Sequence, residues 1–343
     1  MSNANKYLAI VLITLLVLLT ACGGDQKAAP EKKASKLEQT HIKIAYLPVI
    51  HGLPLYLALE KGYFEEEGIE VEAIKFDSPN LILQALVAGQ VDFGAPSTAA
   101  GITAIADHAN PGKLKIYALA GSADKATNGK AINEALIIKK DSAITTIQDL
   151  KGKKIAILPS IQWRTITRHI LAQNNLDADT DVTLVELAPG LWIQALVSGQ
   201  VDAVMALEPI PTIARLQGVA KELTHGIVEQ YVADPMYAGA GVLRVAFAKE
   251  NPKTTAKVLR VFARATEDIN RNPEAARKYL VGYTPLPDDL ANEMPPIVVK
   301  MYQDLTEEDI AALQQFYDIF VEYNVIDSRV DAAKLIYRSD KRK

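Results

Sequence analysis

The sequence has a single cysteine, Cys22, among 343 residues. One cysteine excludes an intramolecular disulfide framework and a metal site built from several thiolates of one chain. Histidine is also scarce: the five histidines are scattered and show no paired metal-ligand spacing. A phosphate loop and a Ser–His–Asp set are missing as well, so the sequence offers no recognisable catalytic motif.

The chain also lacks a strong charge of either sign and any low-complexity tract. Its 37 lysines and arginines against 41 aspartates and glutamates leave a net charge of −4, which argues against nucleic acid as a partner. An anionic small ligand is not excluded, because it feels the local site rather than the net charge. The length suggests two domains, each with its own core.

A hydrophobic run follows Lys6, with the sequence YLAIVLITLLVLLTAC. It is too short for a comfortable membrane-spanning helix and is typical of a secretory signal. We therefore predict a signal peptide over 1–21. Its end resembles a bacterial lipobox, so we predict acylation of Cys22, palmitate included; the alternative is a signal anchor with an incidental cysteine. Residues 22–40 are polar and predict a flexible tether to the periplasmic side or exterior of a membrane.

Two stretches of the sequence are repeated. QALVAGQVD at 84–92 and QALVSGQVD at 194–202 agree at eight of nine positions, at an offset of 110 residues. KIAYLPVI at 43–50 and KIAILPSI at 154–161 agree at six of eight, at an offset of 111. The chain is therefore predicted to contain one supersecondary unit built twice.

Both copies predict the order βαβαβ, hence parallel strands with helices on both faces of each sheet. The first copy predicts strands over 41–46, 69–76 and 91–95 and helices over 53–61 and 79–89. The second copy predicts strands over 153–158, 182–187 and 201–207 and helices over 161–174 and 191–197. Gly89 and Gly199 are predicted to end their helices at positive φ.

The two copies agree up to their strand ends and then diverge. Ligands of such sheets bind beyond the carboxyl ends of the strands, so the divergence predicts two different walls of one ligand site. The predicted ligand contacts follow the first and third strands of each copy: Pro48, His51, Gly52, Ser97, Thr98, Ser160, Gln162, Trp163, Arg164 and Glu208.

Two strands outside the copies, at 134–140 and 240–248, are predicted to carry the chain between two lobes and to form a hinge. The predicted division is lobe 1 over 41–135 and 237–343, and lobe 2 over 136–236. Asn251 is predicted to cap a helix, and Thr306 with Asp309 to form a capping box. We expect these C-terminal helices to pack on lobe 1.

The sequence resembles the ABC-importer solute-binding proteins for nitrate, sulfonate, taurine and thiamin-pyrimidine precursors. The resembling segments cover most of 42–272: LPLYLALEKGYFEEEGIEVE, QALVAGQVDFGAPS, DLKGKKIAILPS, QALVSGQVDAVMALEP and KENPKTTAKVLRVF. The resemblance implies a type II periplasmic-binding-protein-like α/β fold, in which two lobes close on a small ligand and then dock on a membrane permease. It implies a monomer without a cofactor. At Ser160 the chain departs from the family pattern, since Ile161, Gln162 and Trp163 replace small hydroxyl residues.

Each predicted contact has a structural alternative. Arg164, in the first turn of a helix, suits a sulfonate, carboxylate or phosphate, or is a solvated helix arginine. Trp163 stacks on a flat ligand or packs in the core. Glu208 accepts from a ligand amine or forms a surface ion pair. His51 donates to the ligand or is structural, and Ser97 and Thr98 cap the next helix, with or without binding ligand.

The ligand class and the rival function stay open at this point. Arg164 with Glu208 favours an anionic or zwitterionic solute, whereas Trp163 and LPVIHGLP favour an aromatic or pyrimidine. A related fold carries thiamin-pyrimidine synthases, whose substrate histidine and cysteine-rich motif have no counterpart here. We therefore expect a binding protein rather than an enzyme.

Overall fold

The chain folds into two mixed β-sheets surrounded by helices. A computed structural model describes residues 38–339, with the side chains of Asp124 and His225 left out. The predicted signal peptide, Cys22 and most of the predicted tether lie outside the described residues. Both sheets belong to one compact unit that begins at Glu38.

Eleven strands are described across 38–339. They are β1 (His41–Tyr46), β2 (Glu70–Lys75), β3 (Phe93–Ala99), β4 (Leu114–Ser122), β5 (Glu134–Lys139), β6 (Lys154–Ile157), β7 (Thr183–Glu186), β8 (Ala203–Leu207), β9 (Ala220–His225), β10 (Met236–Arg244) and β11 (Val298–Met301). The first sheet has the order β11-β4-β10-β3-β1-β2 and the second the order β7-β6-β8-β5-β9.

The helices connect these strands and cover the sheets. They are α1 (Leu53–Glu60), α2 (Tyr63–Glu66), α3 (Pro79–Ala88), α4 (Ala100–Ala109), α5 (Asp124–Thr127), α6 (Ile161–Gln173), α7 (Trp192–Val197), α8 (Ile210–Leu216), α9 (Ile227–Tyr231), α10 (Val245–Glu250), α11 (Pro252–Arg271), α12 (Pro273–Ala276), α13 (Glu307–Glu322) and α14 (Ala332–Leu335). Short 3₁₀ turns cover Ile50–Gly52, Ile147–Leu150, Pro189–Leu191, Arg277–Leu280 and Asp288–Glu293. Among residues 38–339, no helix combines the length and the hydrophobicity needed to cross a bilayer.

The sequence repeat is a structural repeat. The parallel strands β2-β1-β3 and β7-β6-β8 are arranged alike in the two sheets. Ile44 pairs with Phe93 and Ile155 pairs with Ala203, so the strand register repeats at the offsets of the sequence. The prediction of one unit built twice is confirmed.

Gly89 and Gly199 adopt φ of +74° and +76°, as predicted. In this left-handed region a Cβ is unfavourable, which explains why glycine follows both QALV segments. Upstream of Gly89, the Ser78 side chain caps α3 by accepting from the Asn80 N–H, and Pro79 is the first helical residue.

The fourth strand of each sheet comes from a crossing between the sheets. β5 pairs antiparallel with β8, and β10 pairs antiparallel with both β3 and β4. The chain therefore crosses once between Ser122 and Glu134 and returns before Met236. The predicted returning strand at 240–248 is misplaced, because β10 begins at Met236 and residues 245–250 are helical.

The N-terminal end of the described chain is hydrogen-bonded to the start of helix α11. The Gln39 N–H donates to Asn251 Oδ1 at 2.8 Å, and Glu38 Oε2 accepts from the Thr254 N–H at 2.8 Å. The predicted tether therefore ends before Glu38 rather than at residue 40. Asn251 stands at the N-cap position of α11, but its side chain does not cap that helix, so this prediction is wrong.

The C-terminal helices pack mainly around the first sheet. The predicted capping box of Thr306 and Asp309 is present at the start of α13. Helix α11 packs against α1 and β11, whereas α13 contacts α4 and β10 and also α6 of the second half. The expectation of packing on lobe 1 holds for α11 but is incomplete for α13.

Candidate functional site

The carboxyl ends of the parallel strands in the two sheets face each other and are in contact. The Ile50 N–H, after β1, donates to the Glu208 carbonyl, after β8, at 3.2 Å. Ser78 Oγ, after β2, donates to the Pro159 carbonyl, after β6, at 2.8 Å. These bonds join turns that belong to different sheets, so the described state has its two halves closed on each other.

Gln162 makes two further bonds across this contact. Its Oε1 accepts from the Gly101 N–H at 2.8 Å, and its Nε2 donates to the Ala238 carbonyl at 3.0 Å. Gln162 is 1% exposed, and a Cβ on Gly101 would lie 2.9 Å from its Oε1. Gln162, which was predicted to contact the ligand, therefore bonds α6 to the half that contains the first sheet.

The predicted contacts in the first half differ in their roles. Ser97 Oγ accepts from the Leu47 N–H at 3.0 Å, which holds the turn after β1. Gly52 leaves space for the Tyr56 ring, because a Cβ there would overlap the Tyr56 hydroxyl. Pro48, in the same turn, is half-buried. Ser97 therefore has a structural partner, and Gly52 has a packing role.

The capping prediction for Ser97 and Thr98 is wrong. Strand β3 continues through Ala99, which is the N-cap residue of α4, because Thr98 and Ala99 pair with Ala240 and Gly239 of β10. The Thr98 side chain is fully buried, and within the described part of the chain its Oγ1 has no hydrogen-bond partner.

The predicted contacts in the second half follow β6. Trp163 is 2% exposed and packs in the core. Arg164 Nη2 donates to Glu186 Oε1 at 2.8 Å, with 39% of each side chain exposed. Ser160 is buried at the N-terminus of α6, and its Oγ has no hydrogen-bond partner among residues 38–339. The guanidinium of Arg164 is thus engaged by a carboxylate in this state.

Glu208 is buried rather than exposed, so the alternative of a surface ion pair is wrong. Its Oε1 accepts from Thr212 Oγ1 at 2.9 Å, and burial raises its pKa to about 8. Glu222 also raises this pKa, whereas Arg215 and the bonds from Thr212 lower it. The carboxyl is therefore mostly protonated at neutral pH.

A buried polar cluster at the crossings was missed from sequence. His51 Nε2 lies 3.5 Å from Glu134 Oε1. Ser122 Oγ is 2.8 Å from Glu134 Oε2 and also contacts Glu229 Oε1. We call these four residues the crossing cluster: His51, Ser122, Glu134 and Glu229. The only sequence signal was an acidic residue at the start of an apolar strand in EALIIKK.

Buried polar atoms without a hydrogen-bond partner among the described residues lie both in the crossing cluster and at the strand ends. These atoms are Thr98 Oγ1, Asn133 Oδ1, Ser160 Oγ and Glu229 Oε2. His51 Nε2 and Glu134 Oε1 face each other at 3.5 Å, at the limit of hydrogen-bond distance. Buried polar atoms are normally paired, so this group can form further hydrogen bonds. A cavity of about 1270 Å³ elsewhere, lined by Lys115, Lys249 and Lys334 among others, shares no residue with it.

Residues 51–276 match the family model described as NMT1/THI5 like. This match covers well over half of the chain, so the chain belongs to the NMT1/THI5-like family. The matched region begins at His51 and includes both copies of the unit from that residue onward.

Relatives of different activity are similar to this chain. A Bacillus subtilis (strain 168) protein assigned as an aliphatic sulfonates-binding protein is 26% identical over 331 residues, 95% of this chain and 93% of the relative. The 4-amino-5-hydroxymethyl-2-methylpyrimidine phosphate synthase of Aspergillus parasiticus is 27% identical over 267 residues, 71% of each chain.

Solved structures of the same fold include the alkanesulfonate-binding protein SsuA from Xanthomonas axonopodis pv. citri bound to MOPS. It superposes with a TM-score of 0.71 at 23% identity, over 89% of this chain and 100% of that chain. The predicted fold, with two α/β halves of the type II periplasmic-binding-protein kind, is confirmed.

Proposed function

We propose that this chain is the extracytoplasmic solute-binding component of an ABC importer. It captures a small solute between two lobes, 41–135 with 237–343 and 136–236, and delivers it to a membrane permease. The observation that carries the proposal is the set of unpartnered buried polar atoms at facing strand ends of two sheets. The similarity to sulfonate-binding proteins supports the same class of function.

The proposed ligand contacts are the strand-end turns of both sheets. Of the ten residues predicted there, Thr98 and Ser160 are favoured, because each has a buried polar atom without a hydrogen-bond partner among the described residues. His51 is favoured as well, since its buried Nε2 lies 3.5 Å from Glu134 Oε1, at the limit of hydrogen-bond distance. The alternatives for the solute are a sulfonate-, taurine- or nitrate-like anion or zwitterion, and a pyrimidine or other aromatic compound.

We propose binding without turnover. The synthase relative leaves an enzymatic role as the rival, but Cys22 is the sole cysteine of the sequence, so a cysteine-rich motif cannot form within this chain. We further propose that the chain acts as a monomer held on its membrane by a lipid on Cys22.

Opening and closing of the two halves tests the capture function. Addition of a solute that contacts both halves favours the closed state, so small-angle scattering of the full chain should show compaction with hits from a thermal-shift screen. Gln162→Ala removes two bonds that stabilise the closed state, so it should weaken binding and reduce the compaction. The exposed Gln200→Ala is the control. A chain whose dimensions never change at saturating ligand would contradict capture by closure.

A further inference from the structure

The crossing cluster lies where the chain passes between the two halves. Ser122 ends β4, Glu134 begins β5, and Glu229 lies on α9 just before the return to β10. His51 approaches from the turn after β1. Ser122, Glu134 and His51 are at most 2% exposed, and Glu229 is 8% exposed.

Hydrogen-bond acceptors outnumber donors in the crossing cluster. The Ser122 hydroxyl has one hydrogen and contacts both carboxyl groups, so it can donate to only one of them. Glu134 Oε1 lies 3.5 Å from His51 Nε2, at the limit of hydrogen-bond distance. Among the described residues, Glu229 Oε2 and Oδ1 of the neighbouring Asn133 have no hydrogen-bond partner. His51 is the basic side chain that faces the cluster, and no lysine or arginine of the described residues forms an ion pair with either carboxyl group.

The charge of the crossing cluster is equally unbalanced. Burial, and next the Glu134 carboxylate, raise the pKa of Glu229 to about 8, and Asp234 adds to the rise. Asp234 itself faces Lys125 at 3.8 Å. Glu229 therefore holds its proton to a higher pH than an exposed carboxyl group does, and a bound cation would favour release of that proton.

We propose that the crossing cluster is the subsite for a nitrogen group of the solute, one that presents N–H donors and a positive charge when bound. This inference rests on the proposed solute-capture function and narrows its ligand class. Glu134 and Glu229 accept from the nitrogen group, which supplies the missing donors. A sulfonate at the same place would face two carboxyl groups, so an anionic part of the solute belongs at Ser160 and Thr98 instead.

Calorimetric titration of the full chain with matched pairs of solutes tests this subsite. The pairs are taurine against isethionate, and 4-amino-5-hydroxymethyl-2-methylpyrimidine against its 4-hydroxy counterpart. We expect the amino member of at least one pair to bind 10-fold or more tightly, with release of up to one proton near pH 7. Glu134→Gln and Glu229→Gln should each reduce that preference by 10-fold or more, whereas the exposed Glu274→Gln should keep it.

Every other outcome of this titration overturns the nitrogen subsite, the solute-capture proposal or both. An amine-free sulfonate that binds equally well and compacts the chain overturns the nitrogen subsite and leaves solute capture intact. An amine preference that survives both glutamine variants also overturns the subsite. If no compound binds or compacts the chain, both proposals fail. Should a glutamine variant fail to fold, amine binding to the natural chain without proton release overturns the subsite.

Discussion

The carboxylate of Asp202 accepts a 2.9 Å hydrogen bond from the backbone N–H of Lys154, which begins β6 in the second sheet. Asp92 and Lys43 make the same bond at 3.1 Å in the first sheet. The aspartate that ends each repeated segment therefore bonds β1 to the start of β3, or β6 to the start of β8. Its role is structural.

Removal of these carboxylates should destabilise the fold unequally. Asp202→Ala should lower the free energy of unfolding by about 1 kcal/mol, the net value of one hydrogen bond. Asp92→Ala should cost about 3 kcal/mol, because Asp92 is 6% exposed and also pairs with Arg244 at 3.0 Å. Urea denaturation measures both. Asparagine at either position keeps an acceptor and should cost less; equal losses for alanine and asparagine would contradict the role.

Glycine is required after the repeated QALV segments. Gly89→Val or Gly199→Val should lower stability by about 1 kcal/mol or more, since a β-branched residue is poor at positive φ. Gly190→Ala is the matched control, because its φ is not positive and a Cβ there meets nothing within 4 Å. Thermal melting that ranks Gly190→Ala with the two valine variants would argue against a backbone effect.

The buried Glu208 should make stability depend on pH. Its pKa is raised from 4.5 to about 8, so between these values the folded state holds a proton that the unfolded state has lost. The stabilisation is complete below pH 4.5 and is lost as the pH rises through 8. The slope is up to about 1.4 kcal/mol per pH unit. Urea titrations from pH 5 to 8 should show a shallower fall for Glu208→Gln and an unchanged one for Glu274→Gln.

Variants of Arg164 and Glu186 distinguish a ligand-binding role of Arg164 from a role in a surface ion pair. If Arg164 clamps an anionic group, Arg164→Ala should weaken binding of the identified ligand by 10-fold or more. Stability should change by less than about 1 kcal/mol, as for other exposed ion pairs. Glu186→Ala frees the guanidinium and should leave affinity equal or higher. Normal affinity in Arg164→Ala would assign the residue to the surface pair.

Acylation of Cys22 should decide where the chain resides. Cys22→Ser should leave an unprocessed precursor or release soluble protein, because the acceptor thiol is gone. Fractionation, together with metabolic labelling by a palmitate analogue, measures this outcome. Membrane retention and normal processing in the serine variant would sink the lipoprotein assignment.

Local patterns predicted the doubled units well, because strand alternation, helix caps and glycines act over a few residues. They failed where pairing with a strand distant in the sequence determines the local structure. Ser97 and Thr98 were predicted to cap a helix, but pairing with β10 extends β3 past them. β4, β9 and β11 were missed. Glu134 and Glu229 lie 95 residues apart, so only the two crossings bring them together.

The two crossings also set the order in which the chain can fold. The second sheet is one contiguous stretch, from Glu134 to His225, whereas β4 is flanked by β10 and β11, both of which follow it in the sequence by more than 110 residues. During synthesis the apolar β4 therefore emerges without either partner. The first half is completed around a second half that is already available, and β4 needs protection from aggregation until the last third of the chain arrives.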